Sequence, residues 1–156
     1  MGISVDVSQI EGFQEKIKTL NETQRDLFFR DCCMEGANRL VALVKPLTPV
    51  GNYAGGGTLR RGWDNALSGL CASGVGKTQG AGQSYSITVE NATPYASYVE
   101  HGHRQTPGRY VPAIGKRLVA SWVEGKHMLE ISEGNLQTIL PGVIERKLDA
   151  LLRTVF

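Results

Sequence analysis

The chain has 156 residues, of which 41% are hydrophobic and 21% charged, and its formal net charge is +2. That size suits one domain with its own core, spanning 1–156. The charge is too small to declare a polyanionic partner, and no window nears eighteen uninterrupted apolar residues, so no membrane-spanning helix is expected.

The opening MGISVDVSQIEG has neither a basic n-region nor a long apolar stretch, so no secretory signal is legible. A myristoylation signal would want a small hydroxyl residue where Asp6 stands. Ser8 to Leu20 is expected to form a short helix, with Ile10, Phe13, Ile17 and Leu20 on one face. Asn21 then offers an N-cap, and Gln24 stands at the capping-box position. The run from Glu22 to Lys45 carries the clearest helical pattern. Phe29, Cys33, Ala37, Leu40 and Val44 recur every three or four residues, and Phe28, Cys32 and Val41 widen the stripe. Asp26/Arg30 and Glu35/Arg39 are spaced as i,i+4 ion pairs on the polar side. Pro46 is expected to stop the helix.

The three cysteines, Cys32, Cys33 and Cys71, are an odd set with two adjacent, which reads as reduced thiols of a cytoplasmic compartment. Cys32 and Cys33 lie on the apolar stripe and read as small core hydrophobes. A reactive thiol would want a polar, cationic setting.

Glycine-rich loops punctuate the middle of the chain. TPVGNYAGGG is a loop by composition, and TLRRGWDNAL is expected to begin a strand. Gly51–Gly57 and Gly69–Gly82 contain four and five glycines, few charges and little apolar surface. Both are expected to be mobile in the free subunit, and at least one to order on docking. GVGKT resembles the end of a phosphate-binding loop, but the glycine required five residues before Gly76 is Cys71, and no apolar helix follows. Nucleotide binding is rejected on both grounds. SYSITVEN alternates, with Tyr85, Ile87 and Val89 on one face, as a half-buried antiparallel strand does. Further strands are expected around RYVPAI and RLVASWV. From His127 to Phe156 the pattern is helical again, with Leu136, Leu140, Val143, Leu148 and Leu151 as the stripe. Pro141 implies a kink or, at lower cost, a helix start. Phe29, Leu40, Val44, Ile87, Val89, Tyr98 and Leu148 are the expected core.

YASYVEHGHR packs one carboxylate, two imidazoles and a guanidinium into Glu100 to Arg104. A metal site here would need a distant third ligand, and His127 is the one remaining histidine. A catalytic Glu/His pair would need a nucleophile or substrate pocket that nothing marks. The structural reading has Pro94 starting a helical turn, Tyr95, Tyr98 and Val99 pointing inward, and Gly102 ending the turn. Glu100 and Arg104 are then corner residues, paired with each other or with Arg60 and Arg61. Arg60, Arg61, Lys77, Arg104, Arg109, Lys116 and Arg117 face Asp64, Glu90 and Glu100 between Thr58 and Arg117, so the basic surplus lies in the middle. It reads either as solvated loops or as a basic rim facing a polyanion.

A long helix, GTLRRGW, VENATPYASYVEHGHR, WVEGKHML and a C-terminal helix follow in that order. This succession, from about Leu40 to Leu152, resembles the tail-completion or neck proteins of long-tailed bacteriophages, a group described as minor tail components. Leu59, Arg60 and Trp63 match one of its motifs. Tyr95, Ala96, Val99, Glu100 and Gly102 match a second, and Gly125 with Met128 a third. The resemblance implies an α+β fold in which a curved antiparallel sheet packs against a long N-terminal helix, with a C-terminal helix. It implies a non-enzymatic protein without cofactor or metal that joins head to tail, or completes the tail, as a ring of subunits. The implied partners are further copies of the chain, the head connector, the tail tube proteins and DNA in the pore, with no membrane. The implied place is the virion neck or tail, after assembly in the bacterial host cytoplasm. Arg60, Arg61, Trp63, Lys77, Tyr95, Tyr98, Glu100, Arg104 and Arg109 are the residues expected to serve structure or interface. Two other readings stand beside this one: a small DNA-binding module using the basic middle segment, and a small hydrolase using Glu100 and a histidine.

Overall fold

A computed structural model describes residues 2–6, 21–51, 56–64, 76–78 and 84–155. Among these described residues four α-helices and seven strands follow in chain order. They are β1 (Gly2–Asp6), α1 (Glu22–Leu47), α2 (residues 58–64), β2 (Gly76–Thr78), β3 (Ser84–Glu90), α3 (Ala96–His101), β4 (Gly102–Arg104), β5 (Tyr110–Val111), β6 (Lys116–Arg117), β7 (Trp122–Glu124) and α4 (Met128–Val155). The expected short helix Ser8–Leu20 and most of both glycine-rich loops lie outside the described residues.

Helix α1 starts where the local chemistry allows it. The Asn21 side chain accepts from the Gln24 amide at 2.9 Å, and the Gln24 side chain accepts from the Asn21 amide at 3.1 Å. Two of the four amides that a helix start leaves unpaired are so satisfied. At about 1.5 Å per residue α1 is about 39 Å long. Its buried face is Phe28, Cys32, Cys33, Gly36, Ala37, Leu40, Val41 and Val44, the stripe that the periodicity predicts. Phe29 is half-buried, its ring stacked on Tyr85 with centroids 5.0 Å apart. The pairs Asp26/Arg30 and Glu35/Arg39 both form. The helix runs to Leu47, just beyond Pro46, and Thr48 ends it by donating to the Val44 carbonyl from its amide (3.0 Å) and its hydroxyl (2.8 Å).

Strand β3 is the centre of a three-stranded antiparallel sheet of order β1-β3-β2. Tyr85, Ile87 and Val89 are buried on one side, while Thr88 and Glu90 stay exposed on the other. α1 packs against this sheet and also against α4, so one core lies between the sheet and the two long helices. The α+β arrangement is the expected one, with a difference in the sheets. The strands near RYVPAI and RLVASWV do not extend the main sheet; they form two separate two-stranded ladders, β4-β7 and β5-β6.

Three local expectations are corrected. The stretch TLRRGW is helical, not a strand: Leu59 and Trp63, four apart, are both buried, while Arg61 and Asp64 face solvent. Pro141 does not start a helix, the lower-cost arrangement of the two expected, since α4 continues through it. Its ring lies on the exposed side, so the carbonyl deprived of a donor can face water. Tyr98 is 61% exposed and not core, and Tyr95 is exposed as well. On the short helix α3 the inward positions are Ala96 and Glu100, one turn apart, which places Tyr98 on the opposite side.

Candidate interface: a buried polar corner and a basic arm

The polar residues of the middle segment divide into two groups with different fates. The first group holds the fold together around Thr48 and Asn91. Trp63 is wholly buried, and its indole N–H donates to the Thr48 hydroxyl at 3.0 Å. Arg60 donates to the Thr48 carbonyl from Nε (3.2 Å) and Nη2 (2.7 Å). The buried Asn91 side chain donates to the Leu59 carbonyl at 2.9 Å and accepts from the Thr93 amide at 3.0 Å. α2 is thus tied to the end of α1 and to the end of β3. Gly62 permits this approach, because a Cβ there would lie 2.4 Å from Asn91 Oδ1. Arg61 donates to the Gly56 carbonyl and the Thr58 hydroxyl, and Lys45 pairs with Asp64. Lys77 lies on β2, opposite Tyr85 of β3.

Glu100 is the centre of the corner, and its partners are not arginines. It is 2% exposed. One carboxylate oxygen accepts from the amides of Leu129 and Glu130, both at 3.0 Å, and the other accepts from Leu129 at 3.1 Å. A carboxylate from a distant helix therefore caps the N-terminus of α4, where free amides and the helix dipole favour negative charge. The residue just before α4 is His127, with φ 46 and no short acceptor side chain of the usual capping kind. Backbone bonds from Lys126 to the Val99 carbonyl (2.8 Å) and from His127 to the Glu100 carbonyl (3.1 Å) press the two segments together. Gly125 makes that contact possible: a Cβ there would sit 2.2 Å from the Glu100 carbonyl oxygen.

The nearby histidines do not converge. His101 is exposed, His127 faces Glu130 with Nδ1 2.9 Å from a carboxylate oxygen, and His103 stacks edge-on against Tyr98 at 6.0 Å. Among the described residues no group of three or more His, Cys, Asp or Glu side chains could hold a metal ion. Cys32 and Cys33 are buried on α1, and burial pushes the Cys32 thiol up to about 12, out of the range of a working nucleophile. Among the described residues no helix is long and apolar enough to cross a membrane.

The second group is displayed on an arm. From Gly102 to Gly125 the chain runs out and back on itself. The ladder pairs Gly102 with Glu124 and Arg104 with Trp122, continues through Gln105–Ser121 and Gly108–Leu118 backbone bonds and the pair Tyr110–Arg117, and ends with Val111 opposite Lys116. The tip is a 3-10 turn, Pro112–Ile114, closed by Gly115 at φ 63. No described side chain of this arm is buried. Including Lys126, it carries five basic residues (Arg104, Arg109, Lys116, Arg117, Lys126) against one acid, Glu124. Tyr110, Ile114, Val119 and Trp122 are exposed large apolar side chains on it, with Tyr98 at its base. A cleft of about 400 Å³ on the arm is lined by residues that include His103, Arg104, Arg109, Tyr110 and Leu118.

Of the nine expected residues, Arg60, Trp63 and Glu100 make the hydrogen bonds described above, and Lys77 lies on β2. Arg61 braces its own loop, and Tyr95, Tyr98, Arg104 and Arg109 are on the surface. Sequence reasoning missed Thr48 and Asn91, whose partners are mostly backbone atoms that residue types do not announce, and it met Gly125 only as part of a motif, without the close approach it permits. Residues 11–102 match the family model described as "Bacteriophage HK97-gp10, putative tail-component". No curated protein and no solved structure gives a match.

Proposed function

The chain belongs to the HK97-gp10-like family of bacteriophage tail components, and we propose that it is a non-enzymatic structural subunit that closes into a ring at the junction of head and tail. It would assemble in the host cytoplasm and then sit in the virion between the head connector and the tail tube, with DNA passing through its channel. The observation that carries this reading is the division of the polar residues. Glu100, the strongest candidate for acid–base chemistry, has both oxygens occupied by backbone amides of α4. Arg104, Arg109, Lys116 and Arg117, with the exposed Tyr110 and Trp122, stand on an arm. Groups placed for capping and for surface contact suit assembly, whereas catalysis needs a nucleophile or base within reach of a substrate pocket.

The basic arm favours one second reading, a DNA-binding module. Sedimentation and duplex-DNA binding over a salt series separate the two. A structural ring subunit gives a discrete oligomer, with weak DNA affinity as a monomer. A binding module gives a monomer whose DNA affinity falls steeply with salt.

A further inference from the structure

Resting on the ring reading, we propose that the arm Gly102–Gly125 is an intersubunit clasp that seats on the body of a second copy of this chain. Two-stranded ladders are marginal by themselves in water, and among its described side chains this one has no buried residue to support it. Its strands reach about 30 Å at 3.3 Å per residue, far enough to lie across a neighbour. Arg104 pairs with Trp122 and Arg117 with Tyr110, directly across the ladder, and all four are exposed. Aromatic residues and arginine are the side chains that dominate binding energy at protein interfaces.

Val119 is 90% exposed, and Ile114 sits at the tip. Phosphate groups would leave such apolar surface wet, while a protein surface would bury it. Charge selects the partner. The arm has four basic residues against one acid, and the rest of the chain has thirteen basic against fourteen acidic. Arm and body are therefore of opposite sign on one polypeptide. That is the condition for a head-to-tail contact, repeated from subunit to subunit until a ring closes. The cleft beside Arg104 and Arg109 is of a size to admit an acidic side chain from the neighbour. His103, which also lines it, has a buried Nδ1 with no hydrogen-bond partner.

The test places the photo-crosslinker p-benzoylphenylalanine at Val119 of the full-length protein and pairs irradiation with sedimentation. The expected result is a chain-to-chain adduct mapped to the body. Its yield should fall at least tenfold in an R104E/R117E background that keeps the helical circular dichroism. An oligomer that forms without that adduct overturns the clasp and leaves the ring standing. A monomer at every concentration overturns both. An adduct to added duplex DNA, with none between chains, assigns the arm to nucleic acid instead.

Discussion

Glu100 joins two helices through backbone atoms alone, and its removal leaves buried amides of α4 unpaired. Losing an acceptor in that setting costs about 1–3 kcal/mol. Glu100→Ala should therefore lower the unfolding free energy measured in urea by that amount without changing secondary structure, and Glu100→Gln, which keeps one acceptor oxygen, should cost less. Equal stability of all three proteins would remove Glu100 from its capping role. The cysteines give a second check at this scale. Because burial lifts Cys32 from 9.0 to about 12, the folded state keeps a proton that the unfolded state gives up. The stability this supplies is complete below pH 9 and declines as pH rises toward 12. Native protein at pH 8 should leave Cys32 unlabelled by iodoacetamide, with modification appearing only in denaturant. The sequence reading of YASYVEHGHR misassigns the partner of its carboxylate, which accepts from the Leu129 and Glu130 amides and not from an arginine. Arginines are visible in a sequence, whereas amides freed by a helix start some 29 residues away are not.

At the scale of elements, what repeats is legible and what pairs over distance is not. The α1 stripe, its capping box and its i,i+4 ion pairs follow from spacing alone. Leu40 is fully buried on that stripe, so Leu40→Ala should cost about 2–5 kcal/mol in equilibrium unfolding. A loss below half a kcal/mol would mean that α1 does not pack as described. Glycines separate by their surroundings in the same way. Gly142 is an exposed position within α4 where a Cβ would meet nothing within 4 Å, and Gly142→Ala should add up to about 1 kcal/mol of stability. Gly125→Ala must instead push a Cβ against the Glu100 carbonyl, and should destabilise the joint between α3 and α4. Thermal melts of the two variants should shift in opposite directions. The helical state of α2 escapes sequence reading because Leu59 and Trp63, four apart, share a face in a strand as well as in a helix. Tyr98 misleads for a related reason: an aromatic residue on a six-residue helix looks like core until Ala96 and Glu100 take the inward side.

For the whole molecule, the sheet and two long helices form one core, and the arm carries a charge opposite in sign to the rest. Opposed charge on separate parts of one chain predicts association that weakens as salt rises, since contacts at the rim of an interface are screened within about 10 Å at 0.1 M. The central claim is that such contacts repeat and close. Negative-stain images of the purified full-length protein at moderate salt test it most directly. Class averages showing closed rings of one size, each with a central channel, are the predicted result. Uniform particles of single-subunit size, unchanged at the highest concentration that remains soluble, would contradict it.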